Sequence, residues 1–274
     1  MNASRSATDT VGEETFLFPG RATDTEAGVL LTGAGDVTTA FIGLSARSET
    51  GQDADYIRWH QFDHVPEQFR IPGVRNGQRW VSTPTCRAAR RAQSAPFDRV
   101  DHAVQYLFSE PAVETLQTFM DLGAALGAAG RQPSVGVPRV QSGAYVVVDK
   151  RVNPRGTLGA YALPWWPASG VYLTIEATPP DKAAWSAHSQ ALGELVALDG
   201  VAGAWRYTGV RRQLAARSDP EETVTVFYLY GDPVATAGPL GDLLEQQWRV
   251  SGRPASFAGP LQIVDPRQWD RYLP

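Results

Sequence analysis

Cysteine is almost missing from this 274-residue chain. Cys86 stands alone, which excludes an internal disulfide and any cysteine-rich metal site and fits a reducing compartment. Long apolar runs are missing too: no stretch approaches the ~18 residues of a membrane-spanning helix. Met1 to Gly12 is polar and lacks the apolar segment of a secretory signal, so the expected location is cytoplasmic. The glycine patterns of nucleotide sites, Gly-x-Gly-x-x-Gly after a strand and Gly-x-x-x-x-Gly-Lys-Ser/Thr, do not occur; Gly33-Ala34-Gly35 reads as a turn. Nor does the Gly-x-Ser-x-Gly of serine hydrolases. Lysine is reduced to Lys150 and Lys182, and the net charge of -4 argues against nucleic acid or an anionic membrane as the main partner. Histidine is scarce as well, with four in the whole chain.

What is present is an ordinary soluble composition, 43% hydrophobic and 20% charged, in a chain long enough to bury a core without a metal or disulfide. It carries an internal repeat. Tyr106-Leu107-Phe108-Ser109-Glu110-Pro111 matches Tyr228-Leu229-Tyr230-Gly231-Asp232-Pro233, and each block precedes a helical pattern. Ile71-Pro72-Gly73-Val74 matches Leu198-Asp199-Gly200-Val201, with Arg79 and Arg206 each six residues after the glycine. Trp59 and Trp185 stand upstream, and Tyr145 to Arg151 resembles Leu261 to Arg267.

Each copy reads as β-α-β-β-α-β. In the first, residues 37–47 suit a strand and Asp53 to Phe69 a helix that Gly73 stops. Val74 to Ser82 and Val100 to Phe108 alternate as strands. Pro111 opens a second helix, and Ala144 to Asp149 is the last strand. In the second copy the strands are expected at 170–177, 201–208, 222–230 and 260–265, with helices at 181–198 and 234–248. This is the ferredoxin-like split βαβ order. The expected fold is α+β: two ferredoxin-like βαββαβ repeats whose antiparallel sheets pack into an intramolecular α/β barrel. The expected divisions are an N-terminal extension (1–35), a first repeat (36–152), a linker (153–168) and a second, degenerate repeat (169–274). In the linker, Trp165-Trp166 is placed to close one barrel end or pack between the halves. Pro84 to Pro96, an Arg-rich insertion of the first repeat, reads as a lid or a solvated loop.

The stretch Trp59-His60-Gln61-Phe62-Asp63-His64-Val65-Pro66, followed by Ile71-Pro72-Gly73-Val74, resembles the first-helix signature of EthD-like proteins in the dimeric α/β-barrel superfamily. The resemblance implies a fused pseudo-dimer with a pocket between helices and sheet in each half. It implies chemistry on small, often aromatic or polyketide-like molecules: cyclisation, isomerisation, dehydration, cofactor-free oxygenation or haem breakdown.

His64 is the leading candidate for proton transfer. Asp63 points about 100° away from it on a helix and is a poor orienter, whereas His60, four residues earlier, shares its face. That pair lacks a third ligand at any telling spacing, so no metal is expected. By strand alternation His102 shares a face with Val104, Tyr106 and Phe108. Aligned through the Tyr-Leu-aromatic block, its counterpart is Val224, so the fold does not require a histidine there. Tyr56, Trp59, His60, Trp80 and Tyr106 are expected to wall the substrate. Arg79 and Arg206, being matched, read as scaffold rather than as an anion site of one half.

The expected function is acid–base catalysis without a cofactor by His64, assisted by His102, of the cyclase, isomerase or dehydratase type. The alternatives are a haem- or oxygen-dependent monooxygenase on the same fold and a non-catalytic ligand-binding protein. The expected partner is a small molecule, not nucleic acid or membrane; a homodimer of the pseudo-dimeric chain is also open.

Overall fold

A computed structural model describes residues 36–133, 136–209 and 221–265. The expected extension at 1–35 with its Gly33 turn and Arg267 lie outside them. The first half holds strands β1 (Val37–Ser45), β2 (Val74–Val81), β3 (Ala92–Gln93), β4 (His102–Ser109) and β5 (Arg139–Val152). Its first helix runs from α1 (Asp53–Trp59) through one π-turn (His60–His64) into α2 (Val65–Gln68); α3 (Pro84–Ala88) and α4 (Ala112–Ala128) follow. The second half holds β6 (Gly170–Ala177), α5 (Lys182–Val196), β7 (Val201–Gly209), β8 (Glu222–Leu229), α6 (Pro233–Ser251) and β9 (Phe257–Ile263). Helix starts follow local chemistry: Asp181 and Asp232 cap α5 and α6 through their carboxylates, and Gly252 ends α6 in the left-handed conformation.

The strands run β2-β4-β1-β5-β7-β8-β6-β9, every neighbour antiparallel, and a β2–β9 pairing closes the ring. The result is the expected α+β barrel of eight strands. One seam between the halves is long, with β5 and β7 paired from Tyr145↔Gly209 to Val152↔Gly203. The other is short: Trp80↔Ile263 and Val81↔Gln262.

Strand alternation sorts side chains to two sides. Inward go Leu44, Trp80, Leu107, Tyr145, Leu173, Trp205 and Tyr228, which fill the barrel. Outward, Tyr106 and Phe108 meet Leu116 and Phe119 of α4, while Tyr172 and Phe227 meet Leu192, Leu240 and Leu244 of α5 and α6. The inward polar group Gln105 donates to the Tyr207 hydroxyl at 2.8 Å and accepts from Tyr228 at 2.9 Å, so neither end of its amide is left without a partner. The linker reaches this inner core through Leu163, and Trp205 donates to the Ala160 carbonyl at 2.7 Å. Trp166 packs there against Tyr230, whereas Trp165 stays 47% exposed.

Two expectations change. First, the repeat register shifts by one residue. Phe41 pairs with Tyr106 in the first half and Tyr172 with Phe227 in the second. All four face the helices, so Tyr106 corresponds to Phe227, while Tyr228 points into the barrel. His102 therefore corresponds to Thr223 rather than Val224: Ser45 pairs with His102 and Glu176 with Thr223. Second, the insertion is neither a lid nor a free loop. β3 pairs with β9, the Arg91 amide donates to the Ala258 carbonyl at 2.8 Å, and the Arg91 side chain bonds Asp242 of α6 at 2.6 Å. The insertion straps the first half to the second.

Candidate functional site

The first helix is anchored at its start by a buried carboxylate. Asp53 caps nothing on its own helix, where Gln52 is the N-cap residue; it accepts from the Ser48 amide at 2.9 Å and meets His102 Nε2 at 2.7 Å. Further along, Pro66 has no N–H to give to the Phe62 carbonyl. The helix widens just before it into the π-turn His60–His64, closed by Val65 N–H to the His60 carbonyl. Between this helix, α4 and the outer face of the first-half sheet lies a cavity of about 380 Å³, within the range of small-molecule pockets.

Tyr56, Trp59, His60, His64 and Gln68 line the cavity from the first helix. Gly43 and Ser45 of β1 and Arg79 of β2 line it from the sheet; Tyr106, Phe119 and Arg139 complete the wall. The His64 ring stacks on Trp59 at 4.7 Å and lies 5.6 Å from His60. His64 Nε2 meets the Gln68 amide nitrogen at 3.0 Å, and His60 Nε2 meets the Tyr106 hydroxyl at 3.1 Å. The Nδ1 atom of each ring is buried without a partner, as is Gln68 Oε1. A half-turn of the Gln68 amide puts Oε1 against a protonated His64 Nε2 and leaves Nδ1 as a free lone pair.

Burial, reinforced by the nearby Arg79 cation, lowers the His64 pKa to about 4 and takes His60 well below its ordinary value. Both imidazoles are neutral near pH 7. Burial pushes the Tyr106 hydroxyl pKa up, so it stays protonated. Arg79 is 3% exposed; its guanidinium lies 5.0 Å from the Tyr56 ring centroid and donates to that hydroxyl at 3.3 Å, while Nε has no partner. No Asp or Glu lines the cavity.

Of the residues expected from sequence, Tyr56, Trp59, His60, His64 and Tyr106 are brought together here, and two are not. Trp80 is 1% exposed and packs inside the barrel, because its neighbour Arg79 takes the outward position of β2. His102, 2% exposed, lies behind Tyr56 and is engaged by Asp53, so it does not share the cavity with His64. Burial lowers its pKa despite the carboxylate. In Asp53 the hydrogen bonds from His102 and Ser48 outweigh the upward push of burial, and the pKa falls. The pair is a neutral imidazole against an ionised carboxylate. Asp63 turns outward to Arg131 at 2.9 Å and does not orient His64. Sequence reading missed Arg79, Gln68 and Arg139 as cavity residues; the phase of β2 was the signal for the first.

No protein-family model and no curated protein matches the sequence. Among solved structures, the chain is similar to a dye-decolorizing peroxidase from Bacteroides thetaiotaomicron. Identity is 9%, 89% of this chain and 98% of that one are covered, and the TM-score is 0.55. It is also similar to a candidate chlorite dismutase, at 11% identity, with 85% and 96% covered and a TM-score of 0.53. The fold is the ferredoxin-like α/β barrel. The name EthD does not occur among these likenesses.

They also correct one expectation. Chlorite dismutase and dye-decolorizing peroxidase are haem-binding proteins, so the reading of a site without a cofactor is withdrawn. Side chains that could hold a haem line the cavity: the His64 imidazole, the rings of Tyr56, Trp59 and Tyr106, and the cations Arg79 and Arg139 for carboxylates. Among the described residues, no three His, Cys, Asp or Glu side chains group as a metal cage.

Proposed function

We propose that the chain is a haem-dependent oxidoreductase acting on a small molecule, with its site in the first-half cavity. One observation carries this reading: His64 lines the cavity, and its Nδ1 has no hydrogen-bond partner. His64 would hold the haem iron, kept in orientation by Gln68 and by stacking on Trp59; such supporting contacts fix a ligating imidazole. Bound haem supplies one-electron and oxygen chemistry that side chains lack. Tyr56, Trp59 and Tyr106 would wall the group, and the Tyr106 hydroxyl, which keeps its proton, meets His60. The EthD-like pattern of the first helix belongs to this proposal as its family, and the divisions 36–152, 153–168 and 169–274 as its domains.

Titrating the purified protein with haemin tests it. The expected result is a Soret band shifted from free haemin, saturating at one equivalent. His64→Ala should lose that shift while its melting temperature changes little. An unshifted spectrum, or a shifted band indifferent to His64→Ala, overturns the assignment.

A further inference from the structure

The repeat places the same buried arginine in both halves, but among the described residues only the second has a buried carboxylate at the matching sheet position. Arg79 and Arg206 hold equivalent positions, opposite Val104 on β4 and Thr225 on β8. Arg206 is 2% exposed; its Nε donates to Thr225 Oγ1 at 3.2 Å and its Nη1 to the His188 carbonyl at 3.0 Å. Glu176 of β6, itself buried, lies in the field of that guanidinium without an ion-pair contact; burial pushes its carboxyl pKa up and Arg206 pulls against that shift. In the first half the residue equivalent to Glu176 is Ser45, since these two face His102 and Thr223 in matching registers. Arg79 is equally buried and, like Arg206, makes no ion pair among the described residues, but its Nε has no partner where that of Arg206 bonds Thr225. Where the second half has a carboxylate, the first has a cavity bounded by both Ser45 and Arg79.

A buried guanidinium without a counter-charge is costly, and a carboxylate accepting two of its N–H bonds removes much of that cost. We infer that the first-half cavity binds a carboxylate-bearing flat ligand whose anionic group takes, against Arg79, the place that Glu176 takes against Arg206. Tyr56, Trp59 and Tyr106 then face the ligand's ring. The inference deepens the proposed function and rests on the same cavity. The carboxylate has two sources, a haem propionate or the substrate's own acid group.

Calorimetric titration of the protein without haem, using 2-naphthoate and its amide as probes, separates them. Naphthoate should bind about tenfold or more tightly than the amide, and Ser45→Glu should abolish that preference while raising the melting temperature, because the new carboxylate pairs Arg79 internally. Arg79→Gln should abolish it as well, and supports the same conclusion should Ser45→Glu not fold. If naphthoate shows no preference but haemin binds about tenfold tighter than its dimethyl ester, and Ser45→Glu removes that difference, the propionate is the source. If neither acid is preferred over its uncharged form, the inference is overturned, whatever the Soret band shows. A naphthoate preference without any haemin shift would sink the haem assignment and leave this one standing.

Discussion

Asp53 decides what His102 can do. Its carboxylate sits buried with one oxygen on His102 and the Ser48 amide and the other without a partner, so the imidazole is held outside the cavity. His102→Ala should cost roughly 3–5 kcal/mol at neutral pH, the usual penalty for removing one partner of a buried pair. The loss should shrink toward pH 4. In the variant, burial without His102 raises the folded-state pKa of Asp53 above its unfolded value, so stability is lost as pH rises. Chemical denaturation at two pH values checks this, and a pH-independent loss would contradict it. Sequence reading identified the imidazole-rich first half but mixed two roles at this scale. Arg79 and Trp80 are adjacent and point to opposite faces of β2; the reading gave the cavity to the tryptophan and the scaffold to the arginine. Alternation fixes that neighbours diverge, not which face is which.

The elements themselves were legible because strands alternate and turns are marked by glycine. Gly73 and Gly200, at φ 94° and 82°, each enter a strand just after the first helix of their half. A Cβ on Gly73 would stand 2.4 Å from Thr115 Oγ1, and one on Gly200 2.5 Å from Thr236 Oγ1. Each turn thus lies flush on the first turn of its half's later helix. Gly73→Ala and Gly200→Ala should each cost about 1–3 kcal/mol from backbone strain plus the clash. The double variant should lose close to the sum, since the turns share no partner; thermal melts check both, and a neutral single variant would contradict the packing. These threonines also correct the alignment. Thr115 and Thr236 differ by 121 positions, as do Tyr106 and Phe227, whereas the similar letters Tyr106 and Tyr228 differ by 122. A single residue in a strand reverses the face, so letter similarity misassigned what packing settles. The π-turn was not legible as such; Pro66, quoted only as part of the first-helix pattern, was the mark of it.

At the scale of the molecule, the barrel is held by two unequal seams. The β5–β7 seam pairs over the range Tyr145 to Val152, while β2 and β9 meet only at Trp80↔Ile263 and Val81↔Gln262, with the β3 strap as support. Local opening follows the weaker hydrogen-bonded region. Amides of β9 near Gln262 and Ile263 should therefore exchange with deuterium sooner than those of β7 between Gly203 and Thr208. Equal protection at both seams would refute this. No helix among the described residues is long and apolar enough to cross a membrane.

The covalent join between the halves has a genetic consequence. In a barrel assembled from two identical chains, every substitution is made twice, so a change that opens one pocket opens both and removes two counter-charges at once. Here a codon change alters a single copy. Position 45 carries a serine where position 176 carries an acid, and a change at either leaves the other as it stands. Directed evolution of the first-half cavity can exploit that asymmetry by randomising Ser45, Tyr56 and Trp59 with the second half left as it stands.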